Sequence, residues 1–300
     1  MTGGTGSFGH VVVQKILEAP AAAVIVFSRD EEKQLDMERE YKDPRLSFVI
    51  GDVRDYARVL DAVTGADIVY HAAALKIIPT CEKHPIESIQ TNLLGTMNVK
   101  KACSEAKVKK AIFICTDKAV KPVNVYGMSK ALAERLWLSY SAPCDTIFAA
   151  VRYGNVIGSR GSIVPYFREL VKRHEPFPIT SPLMTRFLIT LEQAIDLVFY
   201  ATLHMEKGQI FVPKIPACKI TDLALAMGGK DYPTKITGIR PGEKIDEVLI
   251  SEEEIRRTRI QKEYYVIEPH GTGQTQELQE EYTSANTTQL SVEGIKELIE

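Results

Sequence analysis

Thr116, Asp117 and Lys118, then Tyr126 and Lys130, fall within fifteen residues, in CTDKAVKPVNVYGMSK. An apolar run over 111–115 should deliver the first three to the carboxyl end of a buried strand. Pro122 keeps the loop that follows from being helical, and the next segment reads as a helix carrying Tyr126 and Lys130. Residues at i and i+4 share a helix face, so a phenol and an ammonium are expected side by side. A nearby ammonium favours the phenolate, which can take a proton from an alcohol as hydride leaves it. Asp117 and Lys118 add an acid and a second amine. Plain alcohol oxidation needs neither.

The elements that must position these groups follow from the hydrophobic pattern. Runs at 24–27, 46–50, 68–70 and 111–115 are short, continuous and rich in β-branched or aromatic residues. Such runs suit strands of a parallel sheet covered on both faces. Helical patterns at 10–18, 31–41, 57–63 and 85–106 alternate with them. The expected fold class is α/β, a Rossmann-like doubly wound parallel sheet with a smaller interwoven substrate domain. The expected division is a dinucleotide-binding domain at 1–155, with 183–212 returning to it, and a substrate domain from 156–182 and 213–300. A helix at 191–204, a strand at 209–212, a mobile polar connection at 268–284 and a terminal helix at 292–299 complete the reading.

Glycines 3, 6 and 9 stand in Thr2-Gly3-Gly4-Thr5-Gly6-Ser7-Phe8-Gly9. Such spacing keeps a turn tight, lets backbone N–H groups approach a pyrophosphate and lets the next helix pack closely. The phosphates would then sit at a helix N-terminus, where dipole and unpaired donors favour an anion. Gly3, Thr5, Gly6, Ser7, Phe8 and Gly9 are therefore the candidate cofactor loop, with Val53, Ala72 and Ala73 at the next strand ends. Where an acidic residue would accept a ribose hydroxyl, the chain has Ser28-Arg29, better suited to a 2′-phosphate. The expected cofactor is NADP, with NAD as the alternative; Arg29 stacking on adenine or facing solvent is the competing reading. Asp52 either meets the adenine amino group or caps the helix after it. A strand should precede the glycine loop, yet the sequence opens directly on it at Met1. A start set too late or a shortened chain is the expected explanation.

Composition sets outer limits. With 300 residues, 45% hydrophobic and 25% charged, and a net charge of −2, the chain gives no electrostatic reason to expect nucleic acid or a membrane surface as partner. No apolar stretch approaches a spanning length, and the first residues do not read as a secretory signal. Five cysteines (81, 103, 115, 144 and 218) lack paired spacing, so reduced thiols in the cytoplasm are expected, without a disulfide frame or a metal site.

With the glycine loop, the Tyr-x-x-x-Lys spacing and the strand order assembled, the chain resembles the extended short-chain dehydrogenase/reductases. The blocks His71-Ala72-Ala73-Ala74-Leu75-Lys76, Thr91-Asn92-Leu93-Leu94-Gly95-Thr96, Met184-Thr185-Arg186-Phe187 and Arg240-Pro241-Gly242-Glu243-Lys244 narrow this. Together with Thr116-Asp117-Lys118 they resemble the inverting UDP-N-acetylglucosamine 4,6-dehydratases of polysaccharide biosynthesis. The resemblance covers nearly the whole chain. It implies that Tyr126, supported by Lys130 and Thr116, deprotonates the sugar C4 hydroxyl. It further implies that Lys118 removes the C5 proton and Asp117 protonates the departing C6 hydroxyl, a net lyase reaction. Lys118 would have to start neutral, helped by burial or by Lys130. On the substrate side it implies Lys76, Asn155, Arg186, Arg240 and Glu243, and a homo-oligomer. Asp246 stands where relatives are expected to carry histidine and receives no role. His71 and Trp137 read as core.

Three rivals remain at this stage. A UDP-N-acetylhexosamine 4-epimerase needs Tyr126, Lys130 and the cofactor but has no use for Lys118 and Asp117. A retaining dehydratase would be expected to carry a membrane region and a methionine in place of Tyr126. A non-catalytic or shortened, inactive family member would not need the pentad.

Overall fold

The run from Ala111 to Ile114 has no exposed member, as a strand covered by helices on both faces requires. In the computed structural model, which describes residues 1–139, 144–159, 161–271 and 277–299, this run is the strand Lys110–Ile114. It pairs in parallel with Ile68–His71 on one side and Ile147–Val151 on the other. Ile147–Val151 pairs in turn with Ile210–Pro213, again in parallel. Two antiparallel strands, Tyr264–Ile267 and Thr258–Gln261, extend that edge. They lie within the stretch expected to be substrate domain, so 213–300 is divided between the main sheet and the smaller part.

On the other side, Val24–Ser28 and Leu46–Ile50 form a parallel pair. The place between Val24–Ser28 and Ile68–His71, where a strand was expected to be missing, is occupied by Met1 to Gly3. Thr2 bridges both Phe27 and His71 in parallel. The Gly3 N–H donates to the Phe27 carbonyl at 2.8 Å and the Thr2 N–H to the Tyr70 carbonyl at 3.0 Å. These residues align the two halves of the sheet just before the glycine loop.

The 85–106 helical pattern resolves into Pro85–Ser88, a π-helical Ile89–Leu94 and Gly95–Glu105. Widened π turns accompany functional sites, and this one turns Asn92 inward. Asn92 accepts from the Leu75 N–H at 2.7 Å and donates to the Leu75 carbonyl and to Ser129 Oγ. A smaller three-stranded sheet joins Asn155–Val156, Thr185–Ile189 and Ala217–Lys219. Helix Leu191–His204 and strand Ile210–Pro213 pack with the main sheet, whereas Thr185–Ile189 belongs to the smaller one. Of the polar stretch 268–284, residues 272–276 lie outside the described residues. Its end is ordered: Tyr282–Thr283 pairs with Val248–Ile250, and the buried Tyr282 hydroxyl donates to the Ile215 carbonyl. All five thiols are free, four of them buried. Among the described residues no helix is long and apolar enough to cross a membrane.

One buried cation joins three of these parts. Arg152, just beyond Ile147–Val151, donates to Glu134 on helix Val125–Leu138 and to Glu254 on helix Glu252–Ile255, at 2.7 and 2.8–2.9 Å. Burial alone would raise the Glu254 carboxyl, but Arg152 outweighs it and holds the group at about 2. Removing one partner of such a buried set leaves an uncompensated charge. Arg152→Met is expected to cost about 3–5 kcal/mol, read as a lower urea midpoint. The Glu254 contribution is present above about 4.5, its ordinary value, and is lost as pH falls from there toward 2. Glu254→Gln should therefore flatten the stability–pH curve in that window; an unchanged acid limb would contradict the assignment.

Candidate active site

The buried strand Lys110–Ile114 ends in Cys115 and Thr116, and the chain then turns tightly through Asp117–Ala119. Thr116 Oγ1 caps this turn by accepting the Lys118 N–H, and the Asp117 N–H donates to the Tyr153 carbonyl. Helix Val125–Leu138 begins at Asn124, whose Oδ1 accepts the Gly127 N–H at 2.7 Å. The helix can approach because residue 127 has no side chain: an added Cβ would stand 2.3 Å from the Lys118 carbonyl oxygen. That approach brings Tyr126 to Thr116. It also places Lys130, one turn on, against the end of the strand.

Thr116 Oγ1 donates to Asp117 Oδ1 at 2.9 Å. Lys118 Nζ donates to Asp117 at 3.0 Å and to Asn155 Oδ1 at 2.7 Å, and lies 3.5 Å from Glu247 Oε1. Asp117 is 0% exposed. Burial pushes its carboxyl above the usual range against the pull of Lys118, and Glu247 adds to the rise. A carboxyl so placed favours its protonated form. Burial also raises the Tyr126 phenol, with further upward pressure from Cys115 and Asp117, against a hydrogen bond shared with Thr116. Lys130 is lowered to about 8 by burial; its Nζ donates to the Ile114 carbonyl at 2.7 Å and sits 3.7 Å from the centre of the Phe113 ring. The spacing suggested an ammonium that favours phenolate. Instead, in the free protein desolvation holds the phenol up, and Lys130 spends its hydrogen bond on the strand. Lys118 likewise faces Asp117, Asn155 and Glu247 rather than Lys130.

A cavity of about 1120 Å³ opens above these groups. Every sequence-derived site residue lines it except Asp117, which lies behind Lys118. At one end are Gly3, Thr5, Gly6, Ser7, Phe8 and Gly9. Gly3 has a φ of +70°, and an added Cβ would come within 2.9 Å of Ala73 N. A Cβ on Gly9 would stand 2.6 Å from the Gly3 carbonyl oxygen. Helix Ser7–Glu18 starts at Gly6 with no side-chain cap and no acid in its first turn, which leaves its first N–H groups available to an anion. Cradle, close backbone approach and open helix end fit a dinucleotide. Ser28 is buried and accepts from Gln34 Nε2 at 2.9 Å. Arg29 is exposed, 3.7 Å from Asp52. Asp52 does not cap the following helix: Asp55 does, by accepting the Arg58 N–H. Asp52 instead accepts the Arg54 N–H and guanidinium. Val53, Ala72 and Ala73 complete this wall.

At the other end the expected substrate residues differ in kind. Lys76, Arg240 and Glu243 stand on the cavity wall, the last two in one turn closed by the Glu243 N–H on the Arg240 carbonyl. Arg186 is buried, and its guanidinium donates to the carbonyls of Thr185, Lys244 and Ile245. It therefore holds the 240–247 loop in place. Asn155, expected to position the sugar, accepts from Lys118.

Sequence reasoning missed Lys244, Glu247 and Asn124. Lys244 Nζ donates to the Val120 carbonyl at 2.5 Å, and Asn124 Nδ2 donates to the Gly242 carbonyl at 2.8 Å. A charged residue close after the Arg240–Lys244 block was the available signal; its partners come from distant segments. His71 is buried between Thr2 and Thr96, held at about 3 by burial, and stacked on Trp137. Both are core. Asp246 accepts from Thr185 Oγ1 at 2.6 Å.

The profile of the family described as "Polysaccharide biosynthesis protein" matches residues 1–269, and that described as "Polysaccharide biosynthesis protein C-terminal" matches 270–300. A relative from Rickettsia conorii named "UDP-glucose 4-epimerase" is 43% identical over 320 aligned positions, covering 100% of this chain and 94% of the relative. Among solved structures, Pen from Bacillus thuringiensis has a TM-score of 0.94 at 35% identity, covering 99% of this chain and 95% of that one. DesIV from Streptomyces venezuelae, a dTDP-glucose 4,6-dehydratase, has a TM-score of 0.74 at 20% identity, covering 81% and 85%; it shares the fold.

Proposed function

The chain belongs to the polysaccharide biosynthesis protein family of extended short-chain dehydrogenase/reductases, a nucleotide-sugar-modifying group, and we propose that it dehydrates UDP-N-acetylglucosamine and inverts C5, giving the UDP-2-acetamido-2,6-dideoxy-4-hexulose. The observation that carries this reading is Asp117, buried behind Lys118 and hydrogen-bonded to it at 3.0 Å, with Lys118 on the cavity wall that also holds Tyr126.

A nicotinamide dinucleotide held by Gly3, Thr5, Gly6, Ser7, Phe8 and Gly9 would supply the chemistry of taking hydride from C4 and returning it to C6. Tyr126 is the acceptor for the C4 hydroxyl proton, and Thr116 steadies the same oxygen. Because burial holds the phenol up in the free protein, its deprotonation requires added positive charge beside it. Elimination needs an acid and a base together. Asp117 and Lys118 share one proton: when it rests on the carboxyl, the amine is free and both are in working form. Lys118 takes the C5 proton, Asp117 protonates the leaving C6 oxygen, and water departs. Saturating the C5–C6 bond then needs a proton at C5, taken from solvent on the face opposite Lys118, which inverts that centre. Tyr126 releases its proton to solvent, and transfer of the gained proton from Lys118 to Asp117, 3.0 Å away, resets the pair.

A second reading, a 4-epimerase, is favoured by the name of the 43% identical relative. Incubating the protein with UDP-N-acetylglucosamine in deuterium oxide separates the two by NMR. A C6 methyl group with deuterium at C5 is expected; UDP-N-acetylgalactosamine as the sole product would overturn the dehydratase reading. Lys118→Ala should slow water loss by about 10²–10⁴-fold while leaving cofactor reduction measurable at 340 nm.

The cofactor proposed is NADP, on the support of the exposed Arg29 at the far end of the cavity. Arg29→Ala should weaken NADPH by about tenfold and leave NADH nearly unchanged, measured by fluorescence titration. Tighter NADH than NADPH binding by the unmodified protein would reverse the assignment. We also propose self-association through the face bearing Ile86, Ile89, Met97, Met128 and Leu132. All five are exposed, and the helical segments that carry them pack together. Sedimentation should give a dimer or larger; a monomer at every concentration tested would count against it.

A further inference from the structure

Glu247 takes no part in the steps above, yet it is 4% exposed and lines the cavity. Its backbone is pinned by Ser284: the Glu247 N–H donates to Ser284 Oγ, and the Ser284 N–H to the Glu247 carbonyl, both at 2.8 Å. Three cations surround the carboxylate. Oε1 is 3.5 Å from Lys118 Nζ and 3.7 Å from Arg186 Nε, and Oε2 is 3.6 Å from Lys244 Nζ. Burial alone would raise the group, but these cations pull it below its ordinary value, so it is ionised and can only accept.

The cations balance its charge from 3.5 Å or more, while their shorter hydrogen bonds run elsewhere. Lys118 donates to Asp117 and Asn155, Arg186 to three carbonyls and Lys244 to Val120. Among the described residues Oε2 has no hydrogen-bond partner. A buried acceptor in that condition is costly, and native proteins keep few of them. A donor brought into the cavity would relieve it. Phosphate oxygens at neutral pH offer no donor, whereas a sugar offers hydroxyls and, when acetamido-substituted, an amide N–H.

We propose that Glu247 is a substrate-binding carboxylate whose Oε2 accepts a hydrogen bond from the hexose ring of a nucleoside-diphosphate sugar. Oε1 remains beside Lys118, so one side chain sets the sugar against the base. This rests on the reading of Lys118 as the group that reaches the sugar carbon.

Calorimetric titration of the unmodified protein, Glu247→Gln and Glu247→Leu with UDP and with UDP-N-acetylglucosamine tests it. Glu247→Leu should weaken the sugar nucleotide by about tenfold or more while UDP changes by less than about twofold. Glu247→Gln, near-isosteric and still an acceptor, should fall between and raise KM more than it lowers kcat. It carries the test if the leucine variant fails to fold by circular dichroism. Equal weakening of both ligands would mean that Glu247 only props the cations, and no weakening of either would mean it touches no ligand; each overturns the proposal. A protein that forms no C6 methyl product but loses sugar affinity selectively keeps this contact and removes the dehydratase reading. Product formation without selective loss does the reverse.

Discussion

The site depends on one close approach, that of Gly127 to the carbonyl of Lys118. With a Cβ at position 127 standing 2.3 Å from that oxygen, helix Val125–Leu138 would have to back away from the turn Asp117–Ala119. Tyr126 would then leave Thr116, and Lys130 would leave the end of its strand. Asn124 secures the same junction from the other side. Its side-chain oxygen caps the helix while its side-chain nitrogen holds Gly242 in the 240–247 loop. A missing side chain and a two-handed cap therefore set the distance between the Tyr126–Lys130 pair and the Asp117–Lys118 pair.

Burial then decides what these groups are chemically. Removing a carboxyl or a phenol from water favours its neutral form, and both Asp117 and Tyr126 are shifted that way. The direction suits Asp117 as a proton donor and works against Tyr126 as a base until positive charge arrives. Glu247 escapes the same fate because three cations face it. Arg152 performs the corresponding service for Glu254 and also pairs with Glu134, and so ties helix Val125–Leu138 to the C-terminal segment that carries Glu247. Two carboxylates a few ångströms from one lysine thus hold opposite tendencies, a division of the kind that acid–base chemistry requires.

Much of this was legible in advance. Strands and helices of the first half declare themselves because a parallel sheet demands continuous apolar runs, and the glycine loop because only glycine permits its turn. The pentad was legible because its members are close in sequence. What escaped came from elsewhere. The division of 85–106 into three helical pieces serves Asn92, whose partners at Leu75 and Ser129 are remote. Tyr282 looked like connection, and the strands at 258–267 like substrate domain, because their partners lie across the fold. Arg186, expected as a ligand contact, lines the cavity and also clamps the 240–247 loop, which local sequence does not display.

Residue type and local spacing, then, determined the fold class, the glycine-rich turn before the first helix and the set of groups able to move protons. Those features arise from interactions within one turn, one strand or one loop, which a sequence displays directly. Protonation tendencies, the spending of Lys130 on a strand carbonyl and the arrival of Glu247 beside Lys118 were decided by tertiary structure. Each depends on how much water is excluded and on which charges from distant segments converge. Neither quantity exists until the chain has folded.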